Sequence, residues 1–352
     1  SAMDGYAMRC KDLTDNHSLQ LVGTAWAGKP FKETVLTGQC IRIMTGAVIP
    51  HGADSVVMQE NTDVKGNSVI FKHMPELGNS IRKAGEDIQQ GQVVVTKGTK
   101  LTPAYLALIA SVGIAEISVV RLIKVGLIAT GDELTLAGQP LIDGAIYESN
   151  RFALTALLNA FPVVLFDFGI VKDDKVDLKA AFEQAGNYCD LVLSCGGVSV
   201  GDADYVKQIL DELGTINFWK VAIKPGKPFA FGQLRRQIGN AWFCGLPGNP
   251  VSSYVTFETL VTPVLQKLCG QTPTATPHFV AKASCLIKKR AGRADYQRGI
   301  FYRDEQGELW VKPNGKQGSG IMSSIAHANC YMILEQQAGD VRLGESVNIQ
   351  PF

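Results

Sequence analysis

Between residues 121 and 270 the chain alternates short apolar runs with stretches of helical periodicity. KVGLIAT precedes SNRFALTALLNAF, VVLFDFGIV precedes VDLKAAFEQAG, and LVLSCGG precedes DYVKQILDELG. AWFCGLPGNP then precedes VSSYVTFETLVTPVLQKLCG, which reads as one helix. Unbroken apolar runs of this length suit strands buried on both faces. Repeated strand-then-helix order predicts a parallel sheet covered by helices on each side. Ligands of such sheets sit beyond the carboxyl ends of the strands, so the loops there are where chemistry is expected.

The flanks have a different rhythm. Residues 1–100 carry short alternating runs such as SVVMQE and SVIFKH, broken by PHGAD and DVKGN, which predicts a β-rich region without a long helix. TPAYLALIASVG (102–113) predicts one short helix with Thr102 as cap, Pro103 in the first turn and Gly113 at its end. QTPTATPH reads as a linker. After it, VAKASCLI, GELWVKP, CYMILEQ and SVNIQPF alternate between Gly turns and predict a small β-barrel or sandwich.

Composition narrows the picture. A chain of 352 residues exceeds one ordinary core, and its 46% hydrophobic and 19% charged residues exclude wholesale disorder. The net charge of +1 provides no global field for nucleic acid or an anionic membrane, so any anion must be held locally. No apolar run is long enough to span a membrane, and no basic-then-apolar leader opens the chain. SAMDGYA, without an initiator Met, reads as the interior of a longer protein. The eight cysteines and five histidines show no metal-ligand spacing. The cysteines read as small buried hydrophobes in a reducing cytoplasm.

KVAIKPGKPFAFG (220–232) reads as strand, turn, strand, yet holds three lysines. A type II turn at Lys224-Pro225-Gly226-Lys227 would bring its ends to within about 7 Å. Two ammonium groups so placed repel unless an anion sits between them. Lys220 would lie on the same strand face as Lys224. Alternatively, this is a hairpin tip with solvated lysines.

Other loops offer partners. In SCGGVSVGDADY a strand ends at Cys195 and a Gly-rich loop leads to a helix near Asp204, an arrangement suited to negative charge. Ser199 adds a hydroxyl, while Asp202 or Asp204 could simply cap the helix. TGDEL (130–134) and KDD (172–174) put acids at two more strand ends, where capping is again the plain alternative. Three acidic strand ends beside lysines also describe a phosphate-and-magnesium site. Asn249 and Pro250 in LPGNPVS are explained as helix initiation. Arg298 in GRADYQRG and Ser319 in KQGSG suit an oxyanion, or else an exposed strand and its turn.

SAMDGYA, IRIMTGA, AGEDI, TGDEL, SCGGVSVGDADY, KPGKPFAFG, GLPGNPVS and DYQRG stand in the order seen in the molybdopterin molybdenumtransferase family. The chain resembles that family, which is related to the C-terminal domain of gephyrin, over nearly its whole length. The resemblance implies a multidomain α/β plus β architecture. It has a β-rich domain at 1–91, a linking segment at 92–120 whose N-terminal part is missing, an α/β molybdopterin-binding domain at 121–273 and a β-barrel at 274–352.

The resemblance also implies Mg²⁺-dependent insertion of molybdate into adenylylated molybdopterin, with release of AMP. Lys224, Lys227, Arg298, Ser199 and Ser319 would hold molybdate, and Lys220 would stabilise the phosphates. Asp173, Asp204 and Glu133 would organise Mg²⁺ and the substrate phosphate, with Asp202 beside them. Asp4, Thr45 and Asp87 would reach the site from the other protomer of a homodimer. Two other readings are adenylylation of molybdopterin, for which the extra domains have no use, and a gephyrin-like scaffold with a vestigial site. Molybdate and tungstate are nearly isosteric, and the sequence does not choose between them.

Overall fold

The computed structural model describes residues 1–13, 17–197, 205–273 and 276–352, with Phe218 by its backbone alone. The chain divides into two compact units, Ser1–Thr96 and Lys97–Phe352.

The first unit is one six-stranded sheet with no α-helix among the described residues. Its strands run in the order Ser55–Met58, Gly5–Met8, Gln39–Ile43, Ser18–Ala25, Ser68–Phe71, Thr62–Lys65. Alternation along the strands divides its apolar residues between the two faces. Tyr6, Met8, Cys40 and Val57 build one core, while Ala7, Ile41, Ile43 and Val56 build the other.

In the second unit the predicted helix forms over Pro103–Ser111, and the Thr102 side chain accepts from the Tyr105 N–H. The four strands expected from the repeats are Val163–Val171, Ile123–Thr130, Leu191–Cys195 and Asn240–Leu246. They lie side by side and parallel in that order. Two antiparallel strands, Pro228–Arg235 and Gly214–Lys220, extend the sheet beyond Asn240–Leu246. Val125, Leu127, Leu191 and Leu193 pack with Leu154, Leu158, Phe257 and Leu265 on one face. Ile128, Val192 and Phe243 pack with Leu178, Phe182, Ile209 and Leu210 on the other. Period-two alternation inside uniformly apolar strands thus gives each face its own helices.

The last long helix differs from expectation. It is α-helical over Pro250–Thr256, opens into a π-turn over Phe257–Val261, and resumes over Thr262–Leu268. Pro263 has no N–H for the carbonyl one turn back, and a wider turn just before it absorbs the mismatch. Asn249 sits at the cap position, but its side chain makes no capping bond.

The C-terminal strands Phe279–Ala283, Ala294–Arg303, Leu309–Pro313, Cys330–Leu334 and Ser346–Pro351 close on one another through the pairing of 294–303 with 330–334, making a five-stranded barrel. Ala281, Ala283, Val311, Met332 and Ile349 fill it. GRADYQRG is therefore not an exposed edge: the strand containing it pairs on both sides, and Asp295, Gln297 and Arg298 are buried. All eight cysteines are free. Burial pushes the Cys40 and Cys330 thiols up to about 12, which makes them inert.

Candidate active site

Two strand ends bring their acids together. Asp174 caps the helix Lys175–Tyr188, its Oδ1 accepting from the N–H groups of Val176 at 2.8 Å and Asp177 at 3.1 Å. Asp173 is thereby free of capping, and its own N–H donates to Asp132 Oδ1 at 3.1 Å. The Asp173 carboxyl is pushed up by desolvation first, then by the charges of Asp132 and Glu133. Glu133 folds back against Gly131, where an added methyl would meet Oε2 at 2.6 Å. Asp132, Lys172, Asp173, Asp174, Lys175 and Tyr205 line a hollow of about 500 Å³.

Asp132 is a member that sequence reading missed, although it stands beside Glu133 in the same motif. Oxygen-only donors of this kind suit a hard cation that keeps part of its water. Among the described residues, no three His, Cys, Asp or Glu side chains form a metal site by themselves. Ser199, Asp202 and Asp204 lie outside the described residues.

The lysine segment is more than a hairpin tip. The pairing strand is Gly214–Lys220, upstream of the predicted first strand; it runs antiparallel to Pro228–Arg235, and the loop between them carries a strand of its own. Ile223–Lys224 pairs in parallel with Ala294 and Asp295 of the barrel. Lys220 and Lys224 accordingly belong to different sheets and do not share a strand face. The Lys224–Pro225 peptide is cis. Gly226 has φ +104°, and a Cβ there would stand 2.3 Å from Thr256 Oγ1. Only glycine lets the loop lie so close to the helix that starts at Pro250. Lys224 Nζ donates to Asp295 Oδ2 at 3.0 Å, whereas Lys220 and Lys227 are exposed.

Arg298 lies three residues along the same barrel strand and is fully buried. Its Nε donates to Ser324 Oγ at 3.0 Å, Nη1 to the Tyr296 carbonyl and Nη2 to the Gly318 carbonyl, each at 3.3 Å. Burial draws its pKa down, while Asp295 supports the charge. The guanidinium thus holds the KQGSG loop. The loop in turn reaches the α/β domain, where the Ser319 carbonyl accepts from the Val251 N–H at 3.0 Å. That bond satisfies one of the unpaired donors at the start of the Pro250–Thr256 helix, for which Asn249 supplies no side-chain bond.

In the first unit Asp4 and Thr45 meet. Asp4 Oδ1 accepts from both the N–H and the hydroxyl of Thr45 at 2.7 Å, and these bonds hold its carboxyl below the usual range. Asp87 is exposed.

The fold and this arrangement define a class: an α/β domain with acids at its strand ends, joined through a lysine loop to a closed barrel. Three family models match in succession. They are the MoeA N-terminal region (domain I and II) over residues 1–113, the probable molybdopterin binding domain over 126–267, and the MoeA C-terminal region (domain IV) over 280–352. The chain is 48% identical to the molybdopterin molybdenumtransferase of Haemophilus influenzae, over 100% of this chain and 87% of that one. It is 32% identical to the gephyrin of Dictyostelium discoideum, over 99% of this chain and 55% of that one. A crystal structure of the molybdopterin biosynthesis moeA protein from Pyrococcus horikoshii superposes with a TM-score of 0.83 at 30% identity, covering 100% of this chain and 87% of that one. The chain belongs to the molybdopterin molybdenumtransferase family.

Proposed function

We propose that this chain is a molybdopterin molybdenumtransferase. It acts in molybdenum cofactor biosynthesis, transferring molybdenum from molybdate to adenylylated molybdopterin and releasing AMP. The observation that carries the site assignment is the annexation of Ile223–Lys224 by the barrel strand bearing Asp295 and Arg298, which joins cationic side chains from two modules. Lys224 and Lys227 bind the tetrahedral dianion as donors and charges. Arg298, expected to hold the anion, is buried and instead holds the KQGSG loop. Ser319 on that loop offers a hydroxyl to the anion, and Ser199 adds a donor from the Gly-rich segment. Lys220 offsets phosphate charge on the adenylylated substrate.

The oxygens of Asp132, Glu133 and Asp173, with Asp202 and Asp204 of the SCGGVSVGDADY segment, suit Mg²⁺. Bound there, the ion would neutralise phosphate charge as the anhydride breaks. Catalysis by the protein is then positional: two anions that repel in water are held together by fixed cations. Asp4, Thr45 and Asp87 complete the site from the second protomer of a homodimer in the cytoplasm.

The test is AMP release by the purified protein given adenylylated molybdopterin, molybdate and Mg²⁺. Lys224→Ala is expected to slow it by about 10²-fold, the usual loss for one electrostatic donor. Release as fast as the parent's would remove the lysine clamp from the mechanism.

A further inference from the structure

Asp295 occupies a position that the reaction as outlined does not use. Its carboxylate is 3% exposed, at the foot of the lysine loop, and Oδ2 accepts from Lys224 Nζ at 3.0 Å and from Gln297 Nε2 at 3.1 Å. Gln297 is itself fixed, because the same Nε2 donates to the Lys288 carbonyl at 2.8 Å. The backbone enforces the meeting, since Lys224 and Asp295 are register partners in the parallel pair. Lysine has a flexible four-carbon stem and three donors on a compact charge. One donor is taken from below by a buried acid. The side chain remains 42% exposed, which leaves its outer donors for a ligand.

We infer that Asp295 is a positioning residue for Lys224, and that it also tempers the charge of the anion site. This rests on the reading of Lys224 as an oxyanion ligand. The carboxylate restricts the ammonium to one place, so the ordering cost is met before the anion arrives. It also makes Lys224 half of a neutral pair, so a dianion there is held by directed hydrogen bonds more than by net charge. An anion bound in this way is oriented without being trapped.

Steady-state kinetics with molybdate as the varied substrate test the inference. Asp295→Asn adds one net positive charge and loosens the pin. It is expected to lower the KM for molybdate several-fold while lowering kcat about tenfold, a split that loss of folded protein cannot produce. Asp295→Glu keeps the charge but moves the carboxylate, and is expected to lower kcat with KM near the parent's. In a Lys224→Ala background, Asp295→Asn should cause a much smaller change, because its effect travels chiefly through that ammonium and only secondarily through the charge of Arg298.

Full additivity of the two substitutions would overturn the inference. So would an unchanged kcat in Asp295→Glu, which also decides the matter should Asp295→Asn fail to fold. If Lys224→Ala alone leaves the molybdate KM unaltered, the oxyanion reading fails and takes the role of Asp295 with it. If Lys224→Ala raises KM but Asp295 variants behave like the parent, only the positioning role fails.

Discussion

Adjacent acids in one loop have separate employment here. Asp174 spends its carboxylate on two backbone N–H groups, while the Asp173 N–H donates to Asp132 and both of these acids line the hollow. Asp174→Ala should therefore cost about 1 kcal/mol of stability, as loss of a cap does, measurable as a shift in denaturation midpoint. It should leave AMP release per folded molecule near normal, and a large fall in turnover would move Asp174 into the chemistry. Gly196 makes the opposite kind of prediction. With φ +96° and a would-be Cβ 2.4 Å from the Thr130 carbonyl oxygen, it admits no side chain without backbone movement. Gly196→Ala should destabilise by roughly 2 kcal/mol or more in chemical denaturation. Stability equal to the parent's would mean that the loop has another conformation. From sequence, both acids of KDD and all the glycines of SCGG looked alike; the local cap bonds of Asp174 and the approach of the Thr130 carbonyl to Gly196 distinguish them.

At the scale of elements, the contact between the Pro250–Leu268 helical region and the barrel is the informative one. The π-turn presents Glu258 to Tyr331, whose hydroxyl donates to Glu258 Oε2 at 2.5 Å. Tyr331 is the register partner of Arg298 on the neighbouring barrel strand. Burial pushes the Glu258 carboxyl up, against a smaller downward pull from the Tyr331 bond. The folded chain thus holds this proton more tightly than the unfolded chain. Its stabilising contribution is full below the ordinary glutamate pKa and is lost as pH rises through the raised value. Glu258→Gln removes that titration. Melting temperatures of variant and parent should diverge in favour of the variant as pH rises above the ordinary glutamate range. A constant difference over that rise would show that Glu258 titrates normally. The strand and helix alternation was legible in the sequence because each run has the length and apolar content of a buried strand. The π-turn had a signal in Pro263, but its partner Tyr331 is 73 residues from Glu258 and had none.

For the whole molecule, shared cores decide which parts unfold together. Val251 and Val255 of the α/β domain pack with Ile325 and Tyr331 of the C-terminal region in one cluster. The first unit has two cores of its own. Calorimetry should then resolve two transitions, one for Ser1–Thr96 and one for the α/β domain and barrel together, with total heat exceeding the van't Hoff value. A single two-state transition, or independent melting of the barrel, would contradict this division of cores.

Local pattern by itself determined the strand-then-helix order, the capped helix at 103–111, the β character of both flanks and the chemical type of the loops. These follow from periodicity, caps and residue chemistry within a few neighbours, and the ordered motifs carried the family resemblance. Tertiary structure alone decided that Lys224 leaves its hairpin to join the barrel, that Asp295 lies beneath it, and that Arg298 is enclosed by the loop carrying Ser319. Those relations pair residues about 70 positions apart or depend on which of several similar polar groups is buried. Such pairings are set by register between strands, and register is fixed only when the separate sheets have packed.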